Sequence, residues 1–184
     1  PSLHDALPIC HGITRDPAHM THEPDGPWYY EQIDLGYNYR MTELQAALGN
    51  SQLDRLDDYV SARHRLARRY DSLLASLPVD LPTQHADGYS AFHLYIVRLQ
   101  QPNLERLARV HAFMRAAGVM VNLHYIPVPM QPFYRDLGFD PRDWPMALDY
   151  YQRAITLPLF ATMSDAQQDE VVLKLAEALK EAGA

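Results

Sequence analysis

The sequence predicts a long amphipathic helix leading into a small α+β domain. Three observations carry this reading. Apolar residues recur at gaps of three and four across residues 42–77. Pro78 and Pro82 then stop that pattern and open a linker. Beyond the linker, strand-like runs alternate with capped helical stretches as far as the last helix, which begins after Ser164.

A chain of 184 residues can bury one sizeable core or be a piece of something larger. Its hydrophobic fraction of 47% and charged fraction of 21% are those of an ordinary soluble protein. A net charge of -7 argues against nucleic acid or an anionic membrane as the main partner. The 16 basic residues are 14 Arg and 2 Lys, the lysines being Lys174 and Lys180. One cysteine, Cys10, excludes an internal disulfide framework and fits a reducing compartment. With no apolar run long enough to span a bilayer and no basic segment ahead of an apolar one, a cytoplasmic protein is expected.

Residues 1–10 open on Pro1, without Met, and Ser2-Leu3-His4-Asp5-Ala6-Leu7-Pro8-Ile9 resembles one reading-frame translation of a common sequencing adapter. They are expected to be an assembly scar outside the fold. Residues 11–37 show no sustained period. Asp16-Pro17, Pro24-Asp25-Gly26-Pro27 and Trp28-Tyr29-Tyr30 describe a loop with an aromatic patch. His19 and His22 are spaced like a ligand pair, but no further residues complete a metal site, and none is expected.

Thr42 is predicted to cap the long helix, with Gln45 returning the hydrogen bond. Asn38 and Arg40 stand just before that helix start, where unpaired N–H groups and the helix dipole favour an anion. They are candidates for binding a phosphate or carboxylate; ordinary loop polarity is the alternative. Leu44, Leu48, Leu53, Leu56, Val60, Leu66, Tyr70 and Leu74 form the apolar stripe, and the arginines and aspartates opposite read as a solvated face.

In the second part, residues 89–99 alternate as a strand. Asn103 caps a helix that ends at Gly118. Residues 119–125 read as a second strand, followed by a loop rich in proline (Pro127, Pro129, Pro132). A short helix over 133–137, a helix over 143–154 and an apolar strand-like run over 155–160 precede the last helix, boxed by Ser164 and Gln167. Domain assignment follows: 11–77 as the remnant of a larger domain, 78–184 as a small α+β domain.

Asn122, His124 and Tyr125 fall where a predicted strand feeds a loop, a place where binding residues collect. Asn122 and His124 alternate onto one face, with Tyr125 on the other. A strand-end histidine bonded to backbone is the plain alternative. No phosphate-loop, nucleophile-elbow or paired-cysteine motif occurs.

Read together, several motifs resemble the C-terminal half of the DegT/DnrJ/EryC1/StrS sugar aminotransferases. They include His11-Gly12-Ile13-Thr14-Arg15-Asp16-Pro17, Trp28-Tyr29-Tyr30-Glu31 and Gly36-Tyr37-Asn38-Tyr39-Arg40-Met41. They continue with Gln45-Ala46-Ala47-Leu48-Gly49, His124-Tyr125-Ile126-Pro127-Val128, Gln131-Pro132-Phe133-Tyr134 and Leu157-Pro158-Leu159-Phe160. The pattern is most similar to the pseudaminic-acid branch of the family. The resemblance implies an α/β parent of the pyridoxal-phosphate fold type I, working as a homodimer with its active sites at the subunit interface. It implies amino transfer from L-glutamate to C4 of a UDP-linked 4-keto-6-deoxy-N-acetylhexosamine. Asn38 and Arg40 would then be cofactor-binding, Asn38 reaching across the dimer toward the partner's cofactor phosphate or substrate and Arg40 bracing that loop. Asn122, Leu123, His124, Tyr125 and Tyr30 would contact the nucleotide-sugar.

The family's Schiff-base lysine would lie upstream of the His11 motif, and no lysine precedes Lys174. The chain as given is therefore expected to be inactive, with the activity belonging to an intact parent. Pro129 stands where many relatives carry a polar or aromatic residue. Two alternatives stay open: another nucleotide-sugar aminotransferase or dehydratase of the family, and a catalytically inert nucleotide-sugar binding module.

Overall fold

The computed structural model describes residues 11–24 and 26–183, so the adapter-like segment lies outside the described residues. The chain forms two compact units that divide between Arg55 and Leu56.

In the first unit, β1 (Ile13–Thr14) pairs antiparallel with β2 (Glu31–Gln32), Ile13 opposite Gln32. This gives order to a stretch whose sequence shows no period. Gly12 makes the pairing possible. Its carbonyl accepts from the Ile33 and Asp34 amides at 2.9 and 3.2 Å. At φ +72°, a Cβ there would stand 2.0 Å from the Asp34 carbonyl oxygen, so only glycine fits. The intervening loop is gathered by the Glu31 carboxylate. It accepts from the Thr21 amide (2.8 Å), the Thr21 hydroxyl (2.9 Å), the His22 amide (2.8 Å) and the Tyr29 hydroxyl (3.0 Å). Those donors hold the Glu31 carboxyl below the usual range, the Thr21 amide contributing most.

The helix that follows, α1 (Glu43–Leu53), begins with the expected capping box. Thr42 Oγ1 accepts from the Gln45 amide at 3.3 Å, and Gln45 Oε1 accepts from the Thr42 amide at 2.9 Å. Nothing on α1 is buried, and Leu44 is 84% exposed. The pattern expected as one helix over 42–77 resolves as two, α1 and α2 (Leu56–Leu74). At the join the Arg55 amide bonds the Gln52 carbonyl at 3.1 Å, a turn three residues long instead of four. Neither Gly nor Pro marks the break, and the three-residue step from Leu53 to Leu56 preserves the helical spacing across it.

The second unit contains α2 and a three-stranded antiparallel sheet in the order β3 (Val79–Asp80), β4 (Tyr95–Leu99), β5 (Ala154–Leu157). Tyr95, Val97, Leu99, Ile155 and Leu157 are buried against three helices. These are α2, through Leu66, Tyr70 and Leu74, α3 (Leu104–Ala116), through Leu107, Val110 and Met114, and α6 (Asp165–Glu181), through Val171, Leu175 and Leu179. Gln168 of α6, fully buried, donates to the Leu66 carbonyl of α2 at 2.7 Å. The Tyr70 hydroxyl donates to the Pro158 carbonyl at 2.9 Å. Both tyrosines of the core, Tyr70 and Tyr95, are pushed upward in pKa, chiefly by burial.

The caps read from sequence hold. Asn103 accepts from the Arg106 amide at 3.0 Å, Gly118 takes φ +84° after α3, and Ser164 with Gln167 boxes α6. Two short helices, α4 (Pro132–Asp136) and α5 (Pro145–Tyr151), fill the connection to β5. Strand bounds differ from expectation. The run over 89–99 is a strand only from Tyr95, because the His64 ring and the Arg63 guanidinium hold the carbonyls of Ser90 and Phe92 in a loop. The strand expected over 119–125 reduces to one bridge, Asn122 opposite Thr156. The last strand ends at Leu157, since Pro158 has no amide to continue it. Among the described residues no helix is long and apolar enough to cross a membrane, and no group of three His, Cys, Asp or Glu could hold a metal.

Candidate functional site

The β4–β5 register decides what the sheet offers on its second face. Tyr95 opposite Leu157 and Val97 opposite Ile155 point into the core. Ile96 opposite Thr156 and Arg98 opposite Ala154 therefore point the other way, since paired residues share a face and neighbours alternate. Asn122 forms a single antiparallel bridge with Thr156 along the edge of β5. Asn122 and Thr156 exchange backbone hydrogen bonds of 2.8 and 3.3 Å. Alternation then sends Leu123 against the hydrophobic core and brings His124 back to the face of Thr156. His124 Nδ1 lies 2.8 Å from Thr156 Oγ1, the imidazole half-buried and the threonine buried.

Around this pair, the Tyr150 hydroxyl of α5 reaches the His124 carbonyl at 3.4 Å. Burial raises the Tyr150 pKa, and the nearby Arg98 charge opposes the rise. Tyr125 is exposed and sits edge-on to the His124 ring, centroids 4.6 Å apart; the peptide between them is cis. Asn122 turns its side-chain oxygen to the Leu123 amide at 2.8 Å. A shallow cavity lined by Leu81, Thr83, Ile96, Arg98 and Tyr150 opens on the same side of the sheet. Of the sequence-predicted group, Asn122, His124 and Tyr125 lie together at the surface, while Leu123 packs against the core instead of contacting a ligand. The histidine is held by a side chain, not by backbone.

The other candidates lie in the first unit. Tyr37 and Tyr39 stack at 4.9 Å, while Asn38 and Arg40 occupy the alternate positions, exposed and without a side-chain hydrogen bond among the described residues. They lead directly into the first turn of α1, where the Glu43 and Leu44 amides have no helical partner. A guanidinium and a carboxamide ahead of free helix amides form a donor set that fits a phosphate dianion. Tyr30 is half exposed, with the Arg15 guanidinium 5.9 Å from its ring centroid.

Two residues of the second site escaped the sequence reading, Thr156 and Tyr150. Thr156 is the only hydroxyl in the run Ala154–Leu157. A polar side chain buried in an aliphatic strand was the signal available for it. Tyr150 had none, because its partner is a backbone carbonyl 26 positions away.

Comparison with known proteins places the chain in a family. The profile of the DegT/DnrJ/EryC1/StrS aminotransferase family matches residues 10–176. The spore coat polysaccharide biosynthesis protein SpsC of Bacillus subtilis is 35% identical over 174 residues, 92% of this chain and 44% of that protein. Spr1654 of Streptococcus pneumoniae, described as a sugar aminotransferase, superposes with TM-score 0.84 at 30% identity, covering 96% of this chain and 42% of that one. Its structures include forms with PLP and with PMP. PseC of Helicobacter pylori, an aminotransferase of pseudaminic-acid biosynthesis, shares the fold with TM-score 0.83 at 22% identity, covering 97% of this chain and 46% of its own. The chain thus spans less than half the length of the relatives it matches.

Proposed function

The chain belongs to the DegT/DnrJ/EryC1/StrS aminotransferase family, whose cofactor is pyridoxal 5′-phosphate, and from that premise we propose that it is part of an enzyme that aminates a nucleotide-linked keto sugar. The donor is L-glutamate and the acceptor the C4 ketone of a UDP-linked 4-keto-6-deoxy-N-acetylhexosamine, the substrate class of the pseudaminic-acid branch. The run from His11 to Pro17, the Trp28-Tyr29-Tyr30-Glu31 loop and the His124-Tyr125-Ile126-Pro127-Val128 segment support this choice of sugar. The enzyme works in the cytoplasm as a homodimer, and the first unit, which ends at Arg55, derives from its cofactor domain.

One observation carries the reading: Asn122, His124 and Tyr125 form a single polar and aromatic surface that is fixed to the sheet before any ligand arrives. Such a surface suits a nucleotide-sugar, which needs hydrogen-bonding groups beside a flat ring. Tyr30 of the first unit is a separate candidate for contact with the nucleotide-sugar. Arg40 and Asn38 bind the cofactor phosphate, the guanidinium neutralising its charge and the carboxamide donating beside the α1 amides. The cofactor, when bound, supplies the electron sink, and the protein supplies position. Neither lysine of the chain suits covalent attachment: Lys174 is ion-paired with Glu177 at 2.9 Å, and both Lys174 and Lys180 ride on α6. The Schiff-base lysine is assigned to upstream polypeptide.

The test begins with the coding sequence across the 1–10 junction. A continuous frame carrying the lysine is expected. The protein including that segment, given pyridoxal phosphate, glutamate and the UDP-4-keto sugar, should release 2-oxoglutarate and an amino sugar detected by mass spectrometry. A histidine in place of the lysine points to the dehydratase alternative. A genuine start at the junction points to a binding module.

A further inference from the structure

We propose that Thr156 is a positioning residue that holds His124 as the tautomer protonated on Nε2, so that the imidazole offers a neutral N–H donor to an acceptor oxygen of the bound nucleotide-sugar. The role assigned to the ligand rests on the function proposed above; the tautomer does not.

The argument starts from the two ways the 2.8 Å contact between His124 Nδ1 and Thr156 Oγ1 can be made. Either the threonine hydroxyl donates to a bare Nδ1, or a protonated Nδ1 donates to the hydroxyl oxygen. The second leaves the Thr156 proton in need of an acceptor. Thr156 is only 7% exposed, and His124 is the only side-chain partner of its hydroxyl among the described residues. A buried donor without an acceptor is the costlier state, so the hydroxyl donates and Nδ1 stays bare. In the neutral ring the proton then sits on Nε2. Nε2 has no hydrogen-bond partner among the described residues, and the ring is half-buried with the exposed Tyr125 edge-on to it. Its N–H is therefore available to a ligand.

The holding is stiff. The backbone bridge between Asn122 and Thr156 sets the distance between the segment and β5, and Thr156 is β-branched on a strand, which restricts its χ1. The Tyr150 hydroxyl reaches the carbonyl of the same histidine from α5. Thr156 thus fixes both ring and tautomer, while the Asn122 bridge and Tyr150 hold the backbone.

The experiment is long-range ¹H–¹⁵N correlation spectroscopy on the full chain labelled at histidine nitrogen, with His124 assigned through His124→Gln. Above the pH at which the imidazole is neutral, His124 should show Nε2 in the protonated range and Nδ1 in the unprotonated range. In Thr156→Val, which keeps the shape and removes the hydroxyl, both nitrogens should move toward the averaged position of a free imidazole. Thr156→Ser should restore the split. A His124 protonated on Nδ1 in the unmodified chain overturns the proposal whether or not the valine variant folds. So does an unchanged pattern in a folded Thr156→Val. Addition of UDP separates the two readings. A shifted His124 Nε2 supports the donor role. A silent one, with the tautomer pattern as expected, removes the nucleotide-sugar assignment and leaves the positioning role standing.

Discussion

The Tyr95 hydroxyl donates to the Asp71 carboxylate across 2.6 Å, tying the central strand β4 to the outer face of α2. Tyr95 is wholly buried, while Asp71 is exposed. Tyr95→Phe keeps the packing and lets Asp71 return to water, so it should cost about 1 kcal/mol. Tyr95→Ala also opens a cavity beneath Tyr70 and should cost ~3–5 kcal/mol. Urea unfolding of the two variants checks the contrast.

The hub at Glu31 makes the first unit acid-sensitive. Its folded pKa is held below the usual 4.5, so its contribution is fully present above that value and is lost as pH falls through the lowered one. Amide exchange at Thr21 and His22 should accelerate over that range. Glu31→Gln should show fast exchange at every pH, because the charge that strengthens four hydrogen bonds is gone.

Two capping boxes of the same design should respond differently to loss of the cap. Ser164→Ala frees an amide on α6, whose inner face is core, and should lower the unfolding free energy of the second unit by about 1 kcal/mol. Thr42→Ala acts on α1, which buries nothing, and should fray that helix without moving the same midpoint. Far-ultraviolet circular dichroism read beside tyrosine fluorescence separates the two effects.

Gln168 bridges α6 to the Leu66 carbonyl from a fully buried position. Gln168→Glu replaces the donor with a carboxylate facing that carbonyl, partly offset by the Arg69 guanidinium that now lies 3.4 Å from the Gln168 side-chain oxygen. The variant should lose ~1–3 kcal/mol at neutral pH and recover part of it on mild acidification, when the protonated acid donates again. A stability profile against pH, compared with the unmodified chain, reads this directly.

If Arg40 holds the cofactor phosphate as proposed, Arg40→Ala in the intact protein should weaken pyridoxal phosphate binding roughly tenfold or more. Asn38→Ala should act in the same direction and more weakly, as a neutral donor. Titration followed by cofactor absorbance measures both, and an unchanged affinity in Arg40→Ala removes the phosphate assignment.

What was legible in the sequence was local. Thr42 with Gln45, Asn103, Gly118, and Ser164 with Gln167 each state a helix end within four residues, and each is present. Placing Asn122 and His124 on one face was likewise a matter of alternation. What stayed hidden depends on distant partners. The break after Leu53 is marked by neither Gly nor Pro and shows only as the tightened turn at Arg55. Residues 119–125 alternate like a strand, yet only Asn122 finds a partner. Thr156 gains its meaning from a histidine 32 positions earlier.

The pairing of β4 with β5 also sets an order of events during folding. The two strands are about sixty residues apart in sequence, so their loop must close before the sheet gains its third strand. Until Ala154–Leu157 has been synthesised, β4 can find only the two-residue β3, and its other edge stays open. That edge belongs to Tyr-Ile-Val-Arg-Leu, a segment rich in β-formers whose lone charge is Arg98. A nascent chain halted before residue 154 should therefore self-associate through β4, and completion of β5 and α6 removes that hazard by covering both the edge and the core face.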